Sequence, residues 1–148
     1  MLKVNRPAEP DCLRDNAPTW NANFIAKRQA DPKAKFNWPD RDCCQQTRKT
    51  LVGMTRKHCA FCDGPFVESR KTIEHFKPKS RFPELAFTWG NLFPCCDKCQ
   101  SSKLEKFDER LLKPDEDAYE FNRYFLVDYK TGEIQVSPLA GDQEQACA

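Results

Sequence analysis

The sequence lacks the features that would place it in a membrane or in a disulfide framework. No apolar run approaches the roughly 20 residues that cross a bilayer as a helix, and the mean hydropathy is −0.78. No charged segment leading into an apolar stretch opens the chain, which sets the expectation of a cytoplasmic protein with no membrane partner. Internal repeats and low-complexity tracts are absent as well. Hydrophobic residues make up only 39% of the 148 positions, enough for one small domain whose modest core a metal would help to staple. Cysteine is not scarce: there are nine, at 12, 43, 44, 59, 62, 95, 96, 99 and 147. An odd count with two close Cys-x-x-C pairs fits a reducing compartment and metal binding better than disulfides.

The net charge of +2 hides a gradient. Residues 1–55 carry ten Lys/Arg against six Asp/Glu, residues 56–112 eleven against eight, and residues 113–148 three against eight. In the middle block, Arg70, Lys71, Lys77, Lys79 and Arg81 surround a single acid, Glu74. Such a field suits a phosphate backbone; a solvated basic loop is the plainer reading.

Taken in order, residues 1–20 are rich in Pro, Asn and Asp and are expected to form an extended arm. Trp20, Phe24 and Ile25 then share a helical face until Asp31-Pro32 interrupts it. A second helix is expected from about Asp42 to Arg56, with Cys44, Thr47, Leu51 and Met54 as its core stripe. Cys43 and Cys44 read as small buried apolar residues outside any metal site, and Cys12 and Cys147 receive no role. Phe66-Val67 and Thr72-Ile73 read as short strands, the second ending at Glu74-His75. A basic loop follows to Glu84, then a strand through Phe87, Trp89, Leu92 and Phe93 that Pro94 closes. Asp97 to about Leu112 has helical spacing in Cys99, Lys103, Leu104, Phe107 and Leu111. Beyond Pro114, an acidic patch (Asp115, Glu116, Asp117, Glu120) precedes a hairpin signal: Tyr124–Tyr129, the turn Lys130-Thr-Gly-Glu, and Ile134-Gln-Val. The tail from Ala140 is small and polar, and is expected to continue into further chain or to pack on a partner.

The chemistry concentrates between Cys59 and Lys103. Cys59, Cys62, Cys96 and Cys99 supply four thiolates in two knuckles, sufficient for a closed tetrahedral Zn2+ site with no open position. Cys95 is a rival for Cys96, though its spacing to Cys99 is one residue longer, and His58 is read as a flanking surface residue. Gly64 is expected to permit the tight turn after the first knuckle. Any reaction must then lie in what the zinc holds in place. Glu74 at a strand end and Gln100 on the first turn of a helix suit a hard cation such as Mg2+ or Mn2+. His75 beside them suits a base that takes a proton from water, and Asn91 suits a brace for the His75 ring or for the loop backbone. A metal stabilising a leaving oxygen and a base activating water suffice for phosphodiester hydrolysis.

The joint pattern C-x-x-C, E-H, N-L and C-x-x-C-x-x-x-K, over roughly residues 56–107, resembles the HNH (ββα-metal) endonucleases with a treble-clef zinc site. That resemblance implies Glu74 as ligand of the catalytic divalent metal, His75 as general base and Asn91 as its support. Gln100 stands where His or Asn is usual in that family, and Glu74 where Asp is commoner. The flanking I-E-H-F-K-P-K, W-G-N-L-F-P-C-C-D-K-C and E-F-N-R-Y-F-L-V-D-Y segments look like the HNH subunits of Septu-type and retron-associated antiphage defence systems. This implies an ABC-type ATPase partner. The expected whole is an α+β protein with a helical extension (1–55), a zinc-stapled ββα core (56–112) and an acidic C-terminal hairpin and tail (113–148). Its expected action is on nucleic acid, DNA in the first place, with Lys77, Lys79, Arg81 and Lys103 on phosphates. The rival readings are a non-catalytic zinc-ribbon binder of nucleic acid and an adaptor for the ATPase.

Overall fold

A computed structural model describes residues 2–66 and 71–141. Val67, Arg70 and Cys147, each considered above, lie outside the described residues, as does most of the tail. The described chain is α+β and falls into two compact units, Arg6–Phe107 and a second made of the first five residues with Asp108 onward. The N-terminal helices therefore share a unit with both Cys-x-x-C pairs.

In the larger unit, α1 spans Asp11–Ala30 and so begins well inside the expected extended arm. Pro10 takes φ −57° and ψ 134° at its N-cap, Asp11 lies in the first turn and Lys27 and Arg28 in the last, which matches the helix dipole. Pro18 sits within it. An internal proline opposes a helix by about 3 kcal/mol, and here the opposing term is the burial of Leu13, Ala17 and Phe24 along one face. Helix α2, Arg41–Met54, agrees with the expected span: Asp40 caps it by accepting from the Asp42 and Cys43 amides, and Cys44, Thr47 and Leu51 are buried. Cys43 is buried, as expected, but against the expectation of metal binding rather than disulfides it is bonded to Cys12 across a Cα–Cα distance of 5.7 Å. Pairing between residues so far apart in the chain is not readable from spacing.

Strands β1 (Lys71–His75) and β2 (Leu92–Cys96) pair antiparallel, Glu74 opposite Phe93 and His75 opposite Leu92. The expected strand at Phe87–Trp89 is instead irregular chain with two 3-10 turns, Pro83–Leu85 and Trp89–Asn91. Nor does Pro94 end β2: it lies inside the strand, where a two-stranded sheet leaves one edge free of ladder donors. Helix α3 runs only from Asp97 to Lys103, not to Leu112. Leu104 takes φ 46° and is 64% exposed, while Phe107 turns back to pack edge-on against Phe76 and Phe82. Tertiary aromatic packing outweighs the helical spacing there.

The smaller unit contains a single-turn helix α4 (Phe121–Tyr124) and the antiparallel pair β3 (Phe125–Val127) and β4 (Ile134–Val136). The expected hairpin is present, and Gly132 supplies its turn with φ +74°. Asp115 is not part of an open acidic patch, because its side chain is 5% exposed and lies 3.1 Å from Lys113. No helix among the described residues is long and apolar enough to cross a membrane.

Candidate functional site

Two centres stand on the β1–β2–α3 segment, one of sulfur and one of oxygen and nitrogen. The first is built where α2 hands over to a tight turn, with Arg56 and Lys57 at φ 51° and 66°. Cys59 and Cys62 follow. Asp63, rather than Gly64, takes the positive φ of 57°. Gly64 has a different job: a Cβ there would stand 3.3 Å from the Cys62 sulfur. Cys96 ends β2, and its sulfur caps α3 by accepting from the Cys99 amide at 3.4 Å. The second knuckle and the helix start are thus one structure.

The donor atoms of Cys59, Cys62, Cys96 and Cys99 all lie within 4.8 Å of one another and could hold a zinc ion. The 3.9 Å between the Cys62 and Cys96 sulfurs is near the edge of a tetrahedron with Zn–S bonds of about 2.3 Å, roughly 3.8 Å. Cys95, the rival, is fully buried and outside this group: its thiol donates to the Cys96 carbonyl and hydrogen-bonds the Cys59 sulfur. That bond is the main reason the Cys59 pKa falls to about 4, which readies a thiolate for a cation, while burial pushes the Cys99 thiol up. His58 is outside the group too, its Nδ1 on the Arg56 carbonyl.

The second centre begins at the end of β1. Glu74 and His75 are both buried, at 7% and 3% exposure. The Glu74 Oε1 accepts from the His75 amide at 3.0 Å and lies 3.5 Å from the Lys103 ammonium on α3. Gln100, the α3 residue expected beside Glu74, is half-exposed, and among the described residues no hydrogen bond joins its side chain to Glu74. Lys103 meets the carboxylate instead.

The imidazole of His75 is 2.9 Å from the Ala86 carbonyl through Nε2. A carbonyl can only accept, so Nε2 carries the proton and Nδ1 keeps its lone pair. No described residue hydrogen-bonds Nδ1. Phe36, from the link between α1 and α2, packs edge-on against the ring with centroids 5.2 Å apart. Burial first, then Lys79 and Lys103, depress the His75 pKa to about 3, against a rise from the Ala86 bond. The ring is therefore neutral at pH 7.

Asn91 braces the loop backbone, not the His75 ring. Its Oδ1 accepts from the Lys77 amide at 2.8 Å, and its Nδ2 donates to the Lys77 and Leu85 carbonyls, both at 3.0 Å. Its own carbonyl accepts from the Phe76 amide. The turn around Asn91 is gripped in turn by Arg6, whose guanidinium donates to the Trp89 and Leu92 carbonyls at 2.8 and 3.1 Å and lies over the Phe93 ring. Arg6 and Phe36 carry no sequence signal for these places, because both contacts bridge long separations. Lys103 does carry one, being one helical turn beyond Cys99.

Three basic side chains of the loop lie on aromatic faces: Lys77 on Phe82 and Phe107, Lys79 on Phe36, and Arg81 on Phe82. Lys79 thereby stands beside the ring that packs on His75. Lys103, grouped with these three in the sequence, is instead buried against Glu74.

No family model matches the chain. Over 55 residues the chain is 36% identical to the Septu protein PtuB of Bacillus thuringiensis, a stretch that is 36% of this chain and 21% of that protein. The matched part thus spans about a fifth of the relative's length. The similarity is therefore local, to part of a Septu protein, and it stands beside a four-cysteine cluster that could hold a zinc ion.

Proposed function

We propose that this chain is a metal-dependent HNH endonuclease, the effector of an antiphage defence complex, hydrolysing phosphodiester bonds in DNA. The observation that carries the reading is the state of His75. A buried, neutral imidazole with Nε2–H tied to the Ala86 carbonyl presents Nδ1 as a proton acceptor, next to a carboxylate suited to a divalent cation. Mg2+ is commonly held through one or two carboxylates, with waters and substrate phosphate completing its shell, so Glu74 fits that role without Gln100 in contact. When bound, such a cation would neutralise charge developing on the phosphate and leaving oxygens.

The chain's own residues supply the rest. His75 Nδ1 takes a proton from the attacking water. Asn91 keeps the Phe76–Lys77 backbone in place after the base. Lys77, Lys79 and Arg81 form the phosphate-facing loop. The four cysteines hold zinc for folding and take no part in the reaction. The β3–β4 hairpin, with Leu126, Val127, Ile134 and Val136 exposed, supports docking of an ABC-type ATPase subunit; that exposure is also what favours an adaptor reading.

Supercoiled plasmid with Mg2+ or Mn2+ tests the proposal. Wild type should nick it and His75→Ala should not. Equal nicking by both removes His75 as base. Binding without cleavage by either, with and without the partner ATPase, would leave a zinc-dependent nucleic-acid binder.

A further inference from the structure

The pairing of Glu74 with Lys103 is unusual in how little holds it. Glu74 Oε1 already accepts from the His75 amide, and the ammonium stands off at 3.5 Å, an ion-pair distance. The Lys103 side chain is 12% exposed and that of Glu74 9%. Lys103 Nζ is itself buried, and no described residue accepts a hydrogen bond from it. An ammonium has three donors, and burying them without acceptors is unfavourable. Charge alone keeps Lys103 at the carboxylate. The pair is also placed with purpose in the fold, since Lys103 is the last residue of α3, just before Leu104 turns the chain out of the helix.

We propose that Lys103 is a built-in competitor for the divalent cation, occupying Glu74 with its ammonium until metal displaces it and frees it for an anionic oxygen of the substrate. The inference rests on the reading of Glu74 as a metal ligand. A dication and an ammonium cannot share one carboxylate without strong repulsion, because like charges a few ångströms apart interact strongly at the dielectric of a partly buried site. The released ammonium still lacks acceptors, and a phosphate oxygen supplies one. Metal occupancy and substrate binding then reinforce each other through one side chain. The cation site stays weak without a phosphate ligand for the displaced lysine.

The test is Mn2+ binding to the zinc-loaded chain without nucleic acid, read by loss of the free Mn2+ electron paramagnetic resonance signal. Mn2+ is a hard, weakly thiophilic ion and leaves a zinc thiolate site alone. Lys103→Met should bind Mn2+ about tenfold or more tighter than wild type. Lys103→Arg, which keeps the charge, should bind as wild type does. Lys98→Met, which removes an equal charge from an exposed position on the same helix, should change little. Adding Glu74→Gln to Lys103→Met should abolish the gain. Lys103→Gln replaces the methionine variant if that variant loses zinc. Equal or weaker binding by Lys103→Met overturns the competition while leaving Glu74 as a ligand. Absence of Mn2+ binding in every variant, or a gain that survives Glu74→Gln, overturns it together with the metal reading of Glu74.

Discussion

The chain holds two antiparallel pairs of strands with opposite fates. In β1–β2, every residue of β2 is buried, as are Glu74 and His75 of β1. In β3–β4, every residue of β4 is exposed, with Ile134 at 51% and Val136 at 42%, and Leu126 on β3 at 46%. A two-stranded sheet has no core of its own and is marginal in water. The first pair is covered by what surrounds it: the apolar cluster of α1 and α2 with Phe87 and Trp89, the packed cysteines, and Phe76 and Phe93 beneath Phe61 and Phe107. That cover lets a carboxylate and an imidazole be held dry and aimed. The second pair, held by three registered residue pairs and a glycine turn, keeps its apolar side chains in the open. One pair buries its polar side chains under apolar cover, and the other leaves its apolar side chains exposed.

The largest way to break this contrast is to remove the metal cluster. Structural zinc contributes roughly 10 kcal/mol or more to folding in small zinc domains. Cys59→Ser should therefore lose zinc and cooperative unfolding of the Arg6–Phe107 unit together, as seen by metal analysis and calorimetry. Cys95→Ser, outside the cluster, should keep zinc. If Cys59→Ser retained both zinc and stability, the cluster would not be what holds β1–β2.

A smaller effect sharpens the buried side of the comparison. The folded pKa of His75, about 3, is below its unfolded value of about 6.5. Both states are neutral above the unfolded value, so the shift has no consequence there. As pH falls below 6.5 the unfolded chain takes up the proton first and the fold loses stability, a loss that ends only near the folded pKa. Between pH 7 and pH 5 wild type should lose about 2 kcal/mol more than His75→Gln. Denaturant titrations of the two proteins at both pH values measure the difference. Equal losses would mean that the imidazole is not held dry.

The smallest effect belongs to the open pair. Ile134→Glu should alter stability by no more than about 0.5 kcal/mol, yet prevent capture of the ABC-type ATPase proposed above as the partner. A large fall in the unfolding temperature would instead place Ile134 in a core.

Much of the site was legible because its signals are local. The two Cys-x-x-C spacings, the Glu74-His75 dipeptide at a strand end and the hairpin turn at Gly132 are each decided within a few residues. What was not legible depends on distant partners. Helix α1 extends back to Asp11 despite Pro18 because Leu13 and Ala17 find a core. Helix α3 stops at Lys103 because Phe107 has Phe76 and Phe82 to return to. The Cys12–Cys43 bond, the Arg6 grip on the Asn91 turn and the Phe36 face on His75 all join segments that sequence spacing does not relate. The helical spacing of Lys103 was visible, but its burial against Glu74 was not.

As proposed above, His75 serves as a catalytic base and not as a part of the zinc cluster that holds the fold. Zinc content and single-turnover plasmid nicking, measured on the same preparation of His75→Ala, test that directly. The expected result is zinc equal to wild type and nicking reduced by about 100-fold or more. Nicking at the wild-type rate, or zinc lost along with activity, would contradict it.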